Sequence, residues 1–407
     1  MVGSHEDGRK LNKFYNLNSF SFKGTLMKHS YLLLVFIVSL LAVAFFMQQI
    51  LVTEDKPVGE PLELFVGVDV AYGDVTEIKM LVDRISGYTN MIVVGCTGIA
   101  YDSAKLVDVC QYVYDRGFSF IIYSDMPPDG EWFLSPDILE GWGDKFLGMY
   151  AFDEGGGWQL DSVSPRPFRV DEADNRTDAA NKFVAAASER LDWFSGNYTD
   201  SVSFPLFTSD YALYWFDYKA GYDVVFAEFA WDYSRELNLA LCRGAAAVQG
   251  RDWGVMITWT YDVPPYIESG EELYGDMVLA YESGAKYILV FDSNRDYSHG
   301  ILQEEHFDAL ERFWQYSQDH PRYGAVQSSR VAYVLPTGCG YGFRGPEDRI
   351  WGLWESNEFT DGICVELGDA LLEYGSRLDI VYDDGLNAVN TVLYSELVFW
   401  NGTVCSL

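Results

Sequence analysis

The chain has 407 residues, with 28 Lys and Arg against 61 Asp and Glu, and a formal charge of −33. An apolar fraction of 49% and an aromatic fraction of 16% exclude intrinsic disorder, and 37 Gly with 13 Pro exclude a collagen-like or low-complexity chain. So acidic a chain repels phosphates, which excludes nucleic acid as a partner. The length suits one large domain, or a large one with a small companion.

Residues 1–30 form a basic leader carrying Arg9, Lys10, Lys13, Lys23 and Lys28. Residues 31–52 (YLLLVFIVSLLAVAFFMQQILV) hold no charge. As a helix they would span roughly 33 Å, enough to cross a bilayer core. Ala42-Val43-Ala44 has the small-residue spacing of a signal-peptide cleavage site, but the apolar run continues beyond it. The segment therefore reads as an uncleaved transmembrane anchor in the lipid bilayer. Basic charge stays cytoplasmic, so the N-terminus is expected inside and everything after the anchor outside. Residues 1–57 hold six basic and four acidic residues, so the remainder carries −35. Sequons at Asn175, Asn197 and Asn401 suit an exported glycoprotein. The six cysteines show no metal-ligand spacing; some could pair outside the cell, for example Cys339 with Cys364, or remain buried thiols.

Residues 53–61 read as a polar linker. Eight short apolar runs then alternate with amphipathic stretches: Leu64–Val68, Met91–Gly95, Phe118–Tyr123, Phe146–Phe152, Val202–Thr208, Val224–Phe229, Gly254–Thr260 and Tyr287–Phe291. They are apolar on both faces, as strands of a covered parallel sheet are. The clearest helical patterns are Asp74–Ile85, Ser103–Tyr114, Asp171–Phe194, Ser234–Val248, Gly270–Glu282 and Glu304–Gln318, with shorter helices expected at Ser135–Trp142 and Tyr211–Lys219. Ser103 and Ser269 are read as N-caps. The pattern predicts an α/β fold in which residues 62–321 form a (β/α)₈ TIM barrel. A doubly wound open sheet is the alternative, but the Gly-x-Gly-x-x-Gly fingerprint is missing after the first strand. Residues 322–407 reset to a small β-α-β domain, with strands at Arg330–Leu335, Leu378–Tyr382 and Tyr394–Trp400 and a helix at Ile363–Tyr374.

A barrel of this type carries its site at the C-terminal strand ends. Those ends bring Asp69, Asp125, Asp153, Glu154, Glu228, Asp262 and Asp292, together with Tyr123, Trp158, Tyr211, Trp231, Trp259 and Tyr261. Aromatic faces stack on sugar C–H faces, and carboxyl groups bind hydroxyls. Glycosidic cleavage needs two carboxyl groups, one as proton donor and one as base or nucleophile, and no cofactor. With five His residues, no G-x-S-x-G elbow and no P-loop, other hydrolytic designs have little to work with. Glu154 ends an otherwise apolar strand and is the first candidate for the acid. Strand alternation would let only one of Asp153 and Glu154 face the axis, and Gly155–Gly157 would let a ligand approach the backbone. Glu228 interrupts VVFAEFAW and is the second candidate; a structural ion pair with Arg235, Arg243 or Arg251 is its other explanation. Asp262 and Glu268 come third. Asp69, Asp125 and Asp292 read as substrate-binding or structural. Calcium on the acidic rim is a further option, without an Asp-x-Asp-x-Asp loop to support it.

In architecture, residues 62–383 resemble (β/α)₈ glycoside hydrolases of the β-galactosidase type, which place an acid/base at the end of strand 4, in some followed by a flavodoxin-like domain. MYAFDEGGG (149–157) occupies the strand 4 position, and SRVAYVLP (329–336) opens the second domain. The resemblance implies an oligo- or polysaccharide substrate and an acid/base role for Glu154. Asp153-Glu154 replaces that family's Asn-Glu, and Tyr261-Asp262 stands where its strand 7 nucleophile would be. Pairing Asp153 or Glu154 with Glu228 instead resembles the α-galactosidase type. The expected function is therefore a membrane-anchored extracellular glycoside hydrolase. The alternatives are a non-catalytic carbohydrate-binding or cell-envelope protein on the same barrel, and a metal-dependent hydrolase of another class.

Overall fold

Along Phe65–Val70, Val66, Val68 and Val70 are sealed among the hydrophobic side chains that face the helices, while Phe65 packs into a separate cluster with Met91, Ile121, Phe226 and Leu289. This two-residue alternation gives each strand one inward and one outward row. The computed structural model describes residues 61–124, 134–162, 169–196, 203–323, 330–345, 347–388 and 393–407. Its strands β1 (Phe65–Val70), β2 (Met91–Val94), β3 (Ser119–Tyr123), β4 (Phe146–Tyr150), β5 (Leu206–Asp210), β6 (Val224–Phe229), β7 (Asp252–Ile257) and β8 (Tyr287–Asp292) close into a parallel barrel, β8 pairing back onto β1. The expected (β/α)₈ barrel is thus the fold. Its lower interior is filled by rings, with Phe65 stacked on Tyr287 at 5.1 Å and Phe207 on Phe226 at 5.8 Å.

The helices are α1 (Val75–Ile85), α2 (Thr97–Ala100), α3 (Ser103–Asp115), α4 (Pro136–Trp142), α5 (Gly155–Leu160), α6 (Arg176–Gly196), α7 (Tyr214–Ala220), α8 (Arg235–Gln249), α9 (Gly270–Glu282) and α10 (Glu304–Asp319). Asp74 caps α1, and Ser269 with Glu272 forms a capping box on α9. The cap of α3 is Asp102, which accepts from the Lys105 N–H, rather than Ser103, which is already helical.

Beyond the barrel, β9 (Arg330–Leu335), α11 (Glu358–Tyr374), β12 (Leu378–Tyr382), β13 (Tyr394–Phe399) and β14 (Val404–Ser406) build a four-stranded sheet of order β12-β9-β13-β14; β10 (Arg349–Ile350) and β11 (Trp354–Glu355) form a small hairpin. β12 and β13 run parallel to the central β9, and β14 is antiparallel to β13. This C-terminal sheet belongs to the same compact unit as the barrel, Pro61–Leu407. At their junction Gly244 of α8 has no Cβ to collide with the Ile380 backbone, so β12 lies directly on the helix. Next to it Arg243 donates to Asp379 Oδ1 (2.6 Å) and to the carbonyls of Ser376 and Leu378.

All six cysteines are free thiols; Cys339 is buried and makes no bond to Cys364. Among the described residues no helix is long and apolar enough to cross a membrane. The leader, the 31–52 segment and most of the 53–61 linker lie outside them, as does Asp125.

Candidate active site

A cleft of ≈ 600 Å³ opens at the C-terminal ends of the strands. The inward rows of β1, β5, β6 and β8 supply Asp69, Ser209, Glu228 and Phe291, and the loops beyond them add Asp153, Glu154, Trp158, Tyr211, Trp231, Tyr233, Trp259, Arg295 and Tyr297. Of the residues singled out in the sequence, Asp69, Tyr123, Asp153, Glu154, Trp158, Tyr211, Glu228, Trp231 and Trp259 all line it.

Three do not. Asp292 shares the outward row of β8 with Ile288 and Val290 and accepts from the N–H groups of Ile301 (2.5 Å) and Leu302 (3.1 Å), so it clamps the following loop. Asp262 is 82% exposed and pairs with Arg295, while Tyr261 is also exposed. Glu268 lies buried beneath the rim, bonded to Arg235 at 3.2 Å.

The loop after β4 departs from the alternation the sequence suggests. β4 ends at Tyr150, and both Phe152 (φ 58°) and Glu154 (φ 54°) adopt the left-handed region. Asp153 and Glu154 consequently both reach the cleft. Trp231 (φ 48°) and Tyr297 (φ 57°), also on its wall, share this backbone geometry. Such conformations cost about 1–3 kcal/mol each and concentrate at working sites. Gly156 and Gly157 serve packing rather than ligand approach. A Cβ on Gly156 would strike Leu213 and Asp210, and one on Gly157 would strike the Tyr211 ring. Asp210, on the outward row of β5, accepts from the N–H groups of Gly156 and Gly157 (2.5 and 2.8 Å) and ties the two strand ends together.

At the floor, one hydroxyl joins two acids. Ser209 Oγ contacts Asp153 Oδ1 at 2.8 Å and also bonds Glu228 Oε1. Tyr150 bonds Asp153 and reaches Ser209 Oγ at 2.8 Å. Glu228 is 4% exposed. The arginines that could have neutralised it are engaged elsewhere: Arg235 with Glu268 and Asp276, Arg243 with Asp379, and Arg251 with Asp223. Among the described residues it has no ion pair. Burial, followed by the charges of Glu154 and Asp153, pushes its carboxyl well above the usual range. Ser209 has one proton to give, so a protonated Glu228 can donate to it while it donates to Asp153. Glu154 lies higher, half-buried, and accepts from the Trp158 indole N–H.

One contributor comes from the C-terminal part, where no local pattern marks it. Arg344 bonds Asp161 (2.7 Å) and Asp348 (2.9 Å) and stacks over Tyr211 and Tyr233 at 5.2 and 5.8 Å. Gln159 donates to the Trp351 carbonyl at 2.7 Å. The wall that carries Glu154 and Trp158 is therefore braced from behind by Arg344 and Trp351. Among the described residues no cluster of three His, Cys, Asp or Glu has the makings of a metal site.

No protein-family model and no curated protein matches the chain. Solved structures similar to it include α-L-fucosidase isoenzyme 2 from Paenibacillus thiaminolyticus, at 11% identity and TM-score 0.47, covering 82% of this chain and 59% of the fucosidase. A GH30 endoxylanase from Clostridium papyrosolvens shares 9% identity at TM-score 0.39, over 64% of this chain and 74% of its own. Thiamine phosphate pyrophosphorylase from Pyrococcus furiosus shares 13% at TM-score 0.32, over 63% and 96%. The chain thus spans only part of the fucosidase it resembles.

Proposed function

We propose that this barrel hydrolyses glycosidic bonds, with Glu228 and Glu154 as the working carboxyl groups. The observation that carries the reading is Glu228: a carboxyl buried at the floor of an aromatic-walled cleft, with no ion pair among the described residues. A carboxyl kept neutral in this way is a proton donor. Its surroundings favour Glu228 as the acid and the more exposed Glu154 as base or nucleophile, the reverse of the order read from strand 4 alone. Because a single hydroxyl spans Asp153 and Glu228, no sugar fits between those two. The scissile bond then lies between Glu228 and Glu154, with Asp153 holding Ser209 in place. Trp158, Trp231 and Trp259 offer faces for the sugar rings. A screen of aryl glycosides and glycans with the full chain tests this, with Glu154→Gln and Glu228→Gln as controls. Turnover lost in both variants supports it, and turnover unchanged in both contradicts it.

The closed network Tyr150–Asp153–Ser209–Glu228 favours a second reading, a non-catalytic carbohydrate-binding protein, since these acids already satisfy one another. Glycan binding without turnover in the same screen would select it.

We also propose that residues 31–52 anchor the chain with the barrel outside the cell. Two sequon asparagines in the described residues, Asn175 and Asn401, are exposed, as glycosylation requires. A mobility shift on deglycosylation and retention in carbonate-washed membranes are the expected results. A chain released by carbonate and unshifted by deglycosylation contradicts the topology.

A further inference from the structure

Asp69 differs from the other acids of the cleft. It is 2% exposed, and its Oδ1 has no hydrogen-bond partner among the described residues. It stands on the inward row of β1 and lines the cleft. Gly95 makes the space for it, since a Cβ there would collide with that same oxygen. A buried carboxyl oxygen left without a partner is costly and calls for a reason. Burial, then Asp153 and Asp292, push this carboxyl well above its usual range. Asp153, Glu154 and Glu228 line the same cleft, while Asp161 is held by Arg344. Among the described lining residues the one cation is Arg295, which is paired with Asp262 and stacked over Trp259 at 4.7 Å and Trp231 at 5.1 Å.

We propose that the cleft recognises a sugar bearing a free, protonated amine, its ammonium paired with the Asp69 carboxyl group at the cleft wall. The inference rests on the carbohydrate reading above and narrows its substrate class. An ammonium has three donors and no acceptor, so it suits an oxygen that lacks a donor. It also brings the positive charge that lets a buried acid ionise beside other acids. A neutral hydroxyl would meet the oxygen but leave the like charges unbalanced, and an N-acetyl cap removes both the charge and two donors.

The test is calorimetric binding to the full chain at about pH 6, where a sugar amine holds its proton. The probes are β-1,4-linked trimers of glucosamine, N-acetylglucosamine and glucose. The glucosamine trimer should bind roughly tenfold or more tighter than either neutral trimer, the scale of one hydrogen bond to a charge. Asp69→Asn should abolish that preference and melt no lower than the parent chain, because it removes a buried charge from a like-charged setting. Equal binding of all three trimers to the parent chain overturns the inference and leaves the carbohydrate reading standing. Binding of none overturns it as well, and turnover of neutral glycosides then decides the wider reading separately. A preference that survives in a folded Asp69→Asn variant also overturns it. The parent chain's own preference keeps the test decisive if that variant does not fold.

Discussion

At Glu228 the local chemistry is a carboxyl group with a hydroxyl for company and no cation among the described residues. Burial also raises Asp292, to about 6, and, with Asp276 and against the pull of its partner Arg235, Glu268, to about 8. The linkage has a definite sign. These groups bind protons more tightly when folded than when unfolded, so their stabilisation is complete below the ordinary carboxyl range of about 4. It is lost as pH climbs through the folded values. The denaturation midpoint should therefore fall between about pH 5 and 8, and Glu228→Gln should flatten part of that fall. A midpoint that rises over this interval contradicts the account of the buried acids. Asp69, which shares the inward strand rows with Glu228, adds to the same trend through burial and the nearby Asp153.

Elements set which acids reach the cleft. The row parity of β8 sends Asp292 outward, whereas that of β1 and β6 sends Asp69 and Glu228 inward. Counting by twos from Tyr287 or Phe65 makes this legible in the sequence; proximity to a strand end does not. The eight strands and long helices are legible for the same reason, as periodicity follows burial. Other features leave no such trace. The left-handed turns at Phe152 and Glu154 break the alternation locally, and α5 is too short to show a period. The bond between Ser209 and Glu228 links residues on neighbouring strands, a relation only register reveals. Gly157 is where element packing can be tested most simply. Gly157→Ala should press on the Tyr211 ring and cost about 1–3 kcal/mol in denaturant unfolding, the usual penalty of overpacking. A stability unchanged or improved by the added methyl would show that the cleft wall is looser than described.

For the whole molecule, the C-terminal sheet acts as a brace for the barrel. Arg243 of α8 meets Asp379 of β12, which is fully buried and also bonded by Arg330 (3.3 Å) and Tyr394 (2.9 Å). Arg243→Ala leaves that carboxylate short of charge and strips the Ser283, Ser376 and Leu378 carbonyls of this donor. A loss of about 3–5 kcal/mol in unfolding free energy is expected; a loss below 1 kcal/mol would mean that the two parts stand independently. Arg344 carries the same dependence to the cleft from 183 residues beyond Asp161, and nothing near it in the sequence announces the role. Part of the chain's acidic charge has a structured use in the floor and walls of the cleft. The account's central claim is that Glu228 donates the proton in glycosidic cleavage. The most direct measurement is turnover by Glu228→Gln of two aryl glycosides, one with a poor phenol leaving group and one with a strongly acidic dinitrophenol. The account predicts a loss of about 10²–10⁴-fold for the first, the usual worth of general acid catalysis, and a far smaller loss for the second, which departs without a proton. Equal losses for both, or full activity on both, would contradict it.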